Sequence, residues 1–347
     1  MAKAPRIGVV YEHPVWFAPL FAELDRRSIP YDRIDLSAHT FDPDLRSIPW
    51  SLVLNRMSPS AYLRGHVQTL TYAREFFRHL EAGGVDVVNG SEAFALETSK
   101  VAQYRLLRRL NLRVPRARVI NHPSQATGAA QGLGFPVIVK PNIGGSGAGM
   151  QRFDTSEALH RAAEDGTLSL DVDHTALVQE FLQPRDGHIV RVEILDGRFL
   201  YAIKVFPKPD EGFNLCPADI CQPGEATGTV TNRAGARGEA RAGGGAMSAA
   251  DLCPVELPKV ALRVEAYVPP DSIIRDVADI IRAAGLDLGG VEYLTNERDG
   301  QVYFYDINAL SNFVSDAARL VGFDPYAELV DYLAARAGIR EFERAVT

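Results

Sequence analysis

Phe135-Pro136-Val137-Ile138-Val139-Lys140-Pro141-Asn142-Ile143-Gly144-Gly145-Ser146-Gly147-Ala148-Gly149-Met150 sets a lysine at the end of an apolar, β-branched run and then turns through four glycines. The run reads as a buried strand. Glycine lets main-chain N–H groups come close to an anion, and successive N–H groups form a nest for phosphate. Lys140 adds a compact point charge. The order is not that of a P-loop, where the lysine follows the glycines and opens a helix. It is not a Rossmann fingerprint either, because no helix with a ribose-binding acid follows. The plainer alternative is a flexible hairpin tip.

Two further constellations work outward from this one. Gly290-Val-Glu292-Tyr-Leu and Phe304-Tyr-Asp306-Ile-Asn308 read as neighbouring strands joined through an Asp299-Gly300 turn. Asp306 and Asn308 are two residues apart and so share one strand face, where Glu292 can meet them. Hard oxygen donors in small number suit Mg²⁺ that also holds phosphates. Exposed strands with solvated acids are the alternative. The apolar neighbours Val291, Leu294, Phe304 and Ile307 weigh against it, since unpaired buried acids are costly. Leu177-Val-Gln179-Glu180-Phe181-Leu182 is an apolar strand with a polar end that can serve as a hinge for adenine. A solvated strand end explains it equally well.

Around these motifs the chain alternates strands and helices. Ile7–Tyr11, Leu52–Leu54 and Val85–Val88 read as strands. Phe17–Arg27 and Leu63–Ala82 have helical spacing, which together predicts a parallel α/β sheet. Asn55 and Arg56 follow a strand end, where such sheets bind ligands. They are candidate substrate contacts together with Arg64 and His66, Arg56 because a guanidinium suits a carboxylate. A helix is predicted over Lys100–Leu110, and a hairpin over Arg191–Leu195 and Phe199–Val205 around Asp196-Gly197. Further helices are predicted over Ile273–Ala284 and Tyr326–Ala335. Between Pro223 and Ala250, Gly, Ala, Thr and Arg dominate. Such a stretch cannot offset its ordering entropy, so a mobile surface insertion is expected there.

The 347 residues exceed one compact core, so two or three domains are expected. Hydrophobic residues make up 46% and charged residues 23%, as in globular proteins. The net charge of -7, with signs mixed along the chain, gives no basic footprint for nucleic acid. No apolar run is long enough to cross a bilayer, and the first residues lack a signal-peptide pattern. A cytoplasmic protein is the expectation. Cys216, Cys221 and Cys253 do not make a disulfide framework. They are read as free thiols, with zinc ligation as a minor alternative.

The order Lys100, Val-Ile-Val-Lys140-Pro with Gly-Gly-Ser-Gly, Val-Gln-Glu180, Arg191-Val-Glu-Ile-Leu-Asp-Gly, Ala202-Ile-Lys204, Gly-Val-Glu292 and Asp306-Ile-Asn308 resembles the ATP-grasp superfamily. The likeness is to the RimK-like amino-acid ligases and their D-alanine–D-alanine ligase relatives. It covers most of the chain outside the insertion. Val88-Asn89-Gly90 resembles the end of their N-terminal domain.

The resemblance implies an α/β and α+β protein with an ATP-grasp fold. It would carry a Rossmann-like N-terminal domain over residues 1–97 and a central lobe with a glycine-rich lid over 98–182. A C-terminal lobe over 183–347 would hold a flexible insertion at about 208–270. It implies ATP and Mg²⁺ (or Mn²⁺) as cofactors. Lys100 and Lys140 would contact phosphates, and Gly144, Gly145, Ser146, Gly147 and Gly149 would cover them. Gln179, Glu180, Phe181 and Leu182 would hold adenine. Glu292, Asp306 and Asn308 would hold the metal. Arg191, Lys204 and Asn312 are the candidate catalytic residues.

The implied reaction joins a small-molecule or peptide carboxylate to an amine through an acyl-phosphate. Neither nucleic acid nor membrane takes part, and homo-oligomers occur among such relatives. The alternatives are a small-molecule kinase on the same fold, which also uses Asp-x-Asn, or a non-catalytic nucleotide-binding protein. The chain departs from the RimK-like pattern at Ala309-Leu310-Ser311-Asn312, and from the D-alanine ligases at Gly290, where they carry arginine. It also has His188-Ile-Val before Arg191, where relatives often carry an acid for the ribose.

Overall fold

The computed structural model describes residues 5–44, 47–145, 147–207, 262–314 and 316–339. The N-terminal domain contains β1 (Ile7–Tyr11), α1 (Ala18–Arg26), β2 (Tyr31–Asp35), β3 (Leu52–Asn55), α2 (Val67–Ala82), β4 (Asp86–Val88) and α3 (Ser91–Glu97). Its strands form a parallel sheet in the order β2-β1-β3-β4. Every residue of β1 and β3 is buried, as helices on both faces of a parallel sheet require. Alternation assigns the faces: Val10 and Val53 pack with α2, whereas Ile7, Val9, Leu52 and Leu54 face α1. In α2 the buried positions Leu70, Ala73, Phe76, Phe77 and Leu80 follow helical spacing. The helix expected from Leu63 is interrupted, because Gly65 takes a left-handed φ of 80° and ends a short 3₁₀ turn over Ala61–Arg64.

The central lobe contains α4 (Lys100–Arg109), β5 (Ala117–Ile120), α5 (Ala126–Ala130), β6 (Val137–Pro141), β7 (Gln151–Phe153), α6 (Ser156–Glu164) and β8 (Ala176–Glu180). Its sheet is antiparallel, in the order β5-β8-β6-β7. Val137, Val139, Ala176 and Val178 pack beneath α5 and α6. Period-two alternation therefore turns Ile138, Lys140 and Gln179 to the other face. Ser99 starts α4 by accepting a hydrogen bond from Ala102 N at 3.1 Å.

The C-terminal lobe contains β9 (Ile189–Leu195), β10 (Arg198–Phe206), β11 (Arg263–Tyr267), α7 (Asp271–Ala283), β12 (Leu288–Thr295), β13 (Val302–Asn308), α8 (Ala317–Val321) and α9 (Pro325–Ala337). The five strands form an antiparallel sheet in the order β11-β10-β9-β12-β13. The edge strand β11 falls within the span expected to be a flexible insertion, so the part of that span from Arg263 to Tyr267 belongs to the sheet. The composition shift at 223–250 lies outside the described residues, as do all three cysteines. Helices α4 and α7 cover one face of this sheet.

Asn89, the residue after β4, fastens the N-terminal domain to the C-terminal lobe. Its amide donates to Leu288 O and Ala309 O, both at 2.7 Å, and its oxygen accepts from Asp287 N at 3.0 Å. The left-handed backbone that this requires (φ 55°) is one asparagine tolerates better than most residues. A second fastening is Tyr62, whose hydroxyl donates to Asp171 Oδ2 of the central lobe at 2.7 Å. Burial and the neighbouring Asp171 carboxylate both push the Tyr62 phenol up. Tyr62→Phe keeps the ring and removes only that bond. It is expected to cost about 1 kcal/mol in urea unfolding, and an unchanged midpoint would show that the bond adds no net stability.

Candidate functional site

A cavity of about 600 Å³ lies between the central sheet and the C-terminal sheet. Strands β6 and β8 supply Ile138, Lys140 and Gln179, and β9, β12 and β13 supply Arg191, Glu292, Asp306 and Asn308. A bulge in the β12–β13 pairing between Glu292 and Tyr293 lets adjacent residues Tyr305 and Asp306 both line it.

Asp306 is the centre of the charges. Lys100 from α4 and Lys140 from β6 both donate to its Oδ1, Lys140 at 3.3 Å. All three side chains are largely buried. Burial alone would raise the Asp306 carboxyl, but the two ammonium groups overcome it and hold the pKa at about 2. Burial pushes Lys140 down, and nearby Lys100 adds to that. Burial also opposes the charge on Lys100, yet Asp306 and Glu97 beside it leave its pKa raised. Glu292 is pushed up by burial and by Asp306. Its Oε1 accepts from Arg191 Nη1 at 3.2 Å and from Asn308 Nδ2 at 3.4 Å. Two carboxylates and an amide oxygen on one face are the hard donors that Mg²⁺ takes, and two lysines already gathered there suit phosphate.

Arg191 is held from three sides. Its Nε donates to Glu193 Oε1 at 2.6 Å, Nη1 to Glu292 and Nη2 to Ser311 Oγ at 3.1 Å. Ser311 in turn donates to Glu193 Oε2 at 2.6 Å. Burial works against the guanidinium charge, but Glu193 and Glu292 outweigh it and raise its pKa. Gly290 is part of this arrangement. A Cβ there would lie 2.7 Å from Glu193 Oε1 and 2.9 Å from Arg191 Nη2. The departure noted at 290 thus has a physical reason: the Arg191–Glu193 pair fills the room of a side chain.

Arg56 is also fully buried and donates through Nη2 to Ser311 O at 2.7 Å and to Asn312 Oδ1 at 3.1 Å. Burial lowers its pKa to about 10. Asn312 lines the cavity, while Arg56 stands behind it. Glu97, also in the wall, accepts from Ala309 N, and burial pushes its carboxyl up.

Several expected contacts fall elsewhere. Glu180 does not present its carboxylate to the cavity. It accepts from Arg116 N at 2.8 Å and from the Arg116 guanidinium at 2.9 Å. Burial would raise its pKa, and these donors bring it below the usual carboxylate range. Gln179, Phe181 and Leu182 do line the wall. Lys204 sits on the sheet face turned away from the cavity. It pairs with Val190, whereas its neighbour Ile203 pairs with Arg191, so the pleat turns Lys204 away, 4.7 Å over the Tyr267 ring. Asn55 is structural: its amide donates to Asn89 O and its oxygen accepts from Met57 N, each at 2.8 Å. In the glycine loop, Gly144, Gly145 and Gly147 line the cavity. Gly149 instead packs at the loop base, with φ 70°, where a Cβ would lie only 2.9 Å from Pro141 Cγ. Ser146 lies outside the described residues.

Sequence reasoning missed Glu193, Ser311 as its partner, and Glu97. Glu193 was within reach, because it lies two residues after Arg191 on the same strand face. Ser311 and Glu97 come from separate elements, and no local spacing marks them. Among the described residues, no three His, Cys, Asp or Glu side chains gather as a metal cluster. No described helix is long and apolar enough to cross a membrane.

The family described as D-ala D-ala ligase C-terminus matches residues 106–208. A D-alanine--D-alanine ligase of Geobacter sulfurreducens is 30% identical over 119 residues, covering 34% of this chain and 36% of that one. A probable alpha-L-glutamate ligase of Shewanella pealeana is 28% identical over 160 residues, 46% of this chain and 32% of that one. The matched part spans about a third of the length of these curated relatives. Solved structures match over nearly the whole chain. The ATP-grasp ligase PsnB complexed with a minimal precursor superposes with a TM-score of 0.63 at 18% identity, covering 96% of this chain and 100% of that one. The D-alanine--D-alanine ligase of Bacillus anthracis complexed with ATP gives 0.61 at 15% identity, covering 97% of each. The chain has the ATP-grasp fold, and its residues 106–208 match the D-ala D-ala ligase C-terminus family.

Proposed function

We propose that the protein is an ATP-dependent carboxylate–amine ligase. The observation that carries this reading is the convergence of Lys100 and Lys140 on Asp306, beside Glu292 and Asn308, inside one cavity. Phosphoryl transfer needs positioning and charge neutralisation more than covalent help. Lys100, Lys140 and the N–H groups of the glycine loop would hold the phosphates. Gln179, Phe181 and Leu182 would bound the adenine. Glu292, Asp306 and Asn308 would hold Mg²⁺ (or Mn²⁺), which neutralises phosphate charge when bound. Arg191 and Asn312 stand where the acyl-phosphate would form. The wall around it would exclude water, so that an amine attacks in its place.

Support comes from the D-alanine and glutamate ligases among the relatives, and from neighbours solved with ATP or with Mg and ADP. PsnB was solved with a precursor peptide, so the acid or amine partner is taken as an amino acid or peptide. We place the reaction in the cytoplasm, where ATP is at hand.

The test follows purified protein by phosphorus NMR with Mg-ATP and a pool of amino acids, peptides and polyols. ADP and free phosphate that depend on an acid and an amine are expected. A new phosphoester with little free phosphate would overturn the ligase in favour of a kinase.

A further inference from the structure

The cavity continues past the glycine loop to a wall built by the N-terminal domain. That wall is Trp16, Ser58, Pro59 and Ser60, none of them charged; Glu97, which the same domain also brings to the cavity, stands beside Lys100. Pro59 lies against the loop, its Cγ 3.7 Å from where a Gly145 Cβ would be. The wall therefore begins beside the loop assigned to the phosphates. Charged groups stand behind it, but they satisfy one another. Arg64 binds Glu12 with both prongs, at 2.9 and 2.7 Å, and His66 Nδ1 lies 2.8 Å from the same carboxylate. The Arg64 guanidinium also lies 4.5 Å from the Trp16 ring, and the His13 ring stacks at 5.2 Å. The indole is thus braced in a fixed place, with 5% of its surface left exposed. Ser58 and Ser60, with hydroxyls 2.8 Å apart, are the polar groups of this wall.

We propose that this end of the cavity takes the uncharged, apolar or aromatic side chain of the substrate, and that Trp16 determines the preference. This rests on the ligase reading. The exposed edge of a ring already held in place offers an apolar contact at little conformational cost. An acidic or basic side chain would shed its hydration there without gaining a free counter-charge. Arg64 and Glu12 act as positioning residues, because they hold the indole rather than touch the substrate.

The test uses saturation-transfer NMR on the full chain loaded with Mg-ADP. The probes are the L and D forms of phenylalanine, leucine, glutamate and lysine, each also tried as the amide. Phenylalanine or leucine probes should receive saturation, and glutamate and lysine probes should not. Trp16→Ala should weaken that binding about tenfold or more, while Trp16→Phe keeps most of it. ADP affinity should stay within about twofold in both variants, which shows that the fold is intact. Binding of charged probes in preference, binding of none, or a profile unchanged by Trp16→Ala would each overturn the inference. ADP release with the same probes reads the ligase separately. Binding without turnover would count against the reaction and leave the site assignment standing.

Discussion

Replacing Asp306 by alanine is expected to remove turnover, by about 10³-fold or more, because the group that gathers both lysines and the metal would be gone. The effect on stability should also be large. Lys100 and Lys140 would be left buried without their shared carboxylate. Breaking a buried pair by removing one partner costs about 3–5 kcal/mol. Urea unfolding would read this loss. ADP should then raise the melting temperature of Asp306→Ala at least as much as that of the wild type, since its phosphates give the lysines a counter-charge. Full activity in the variant would sink the metal assignment.

The same carboxylate sets a pH dependence with a definite sign. Asp306 titrates at about 2 in the fold. An unfolded aspartate titrates at about 3.9. A depressed pKa means that the folded state holds fewer protons in this interval. Its contribution is therefore complete above about pH 4 and is lost as the pH falls through about 2. The stability gap between wild type and Asp306→Asn should narrow across that window. A gap that stayed constant down to pH 2 would contradict the assigned cause.

The second large effect is expected from Gly290→Ala, a single methyl group. The added Cβ would press within 2.7 Å of Glu193 Oε1 and 2.9 Å of Arg191 Nη2. Both side chains are buried and tied to other partners, so neither can step aside freely. Overpacking of this kind costs about 1–3 kcal/mol. The displaced guanidinium should lower turnover by about 10²-fold, as small misplacements near reacting atoms do. Nucleotide affinity should change little, since the lysines and the glycine loop are untouched. A variant as active as the wild type would show that Arg191 need not hold this position.

What the sequence made legible follows from how local each signal was. The strand that delivers Lys140 is legible as a continuous apolar run and the Asp306–Asn308 pair by period-two spacing, and the structure brings these side chains and Glu292 into one cavity. Lys204 failed for the same reason in reverse. Its parity on β10 opposes that of Arg191 once the hairpin register is known, and register is not written in the residues alone. Glu180 and Asn55 read as ligand contacts because they are polar at strand ends. Their partners, Arg116 and Asn89, lie 64 and 34 residues away. Arg56 reads as a ligand contact for its guanidinium, but its partners at 311 and 312 come from another lobe, and no local spacing marks its place behind the wall.

The crowding at Gly290 also bears on how such chains can change over time. Positions 191 and 290 compete for one volume, so an arginine cannot simply be added at 290 while the pair on β9 remains. Any lineage moving the cation from one strand to the other would have to pass through a chain lacking it, or alter both positions together. Libraries that vary these two codons jointly should recover combinations that single-site scans would reject.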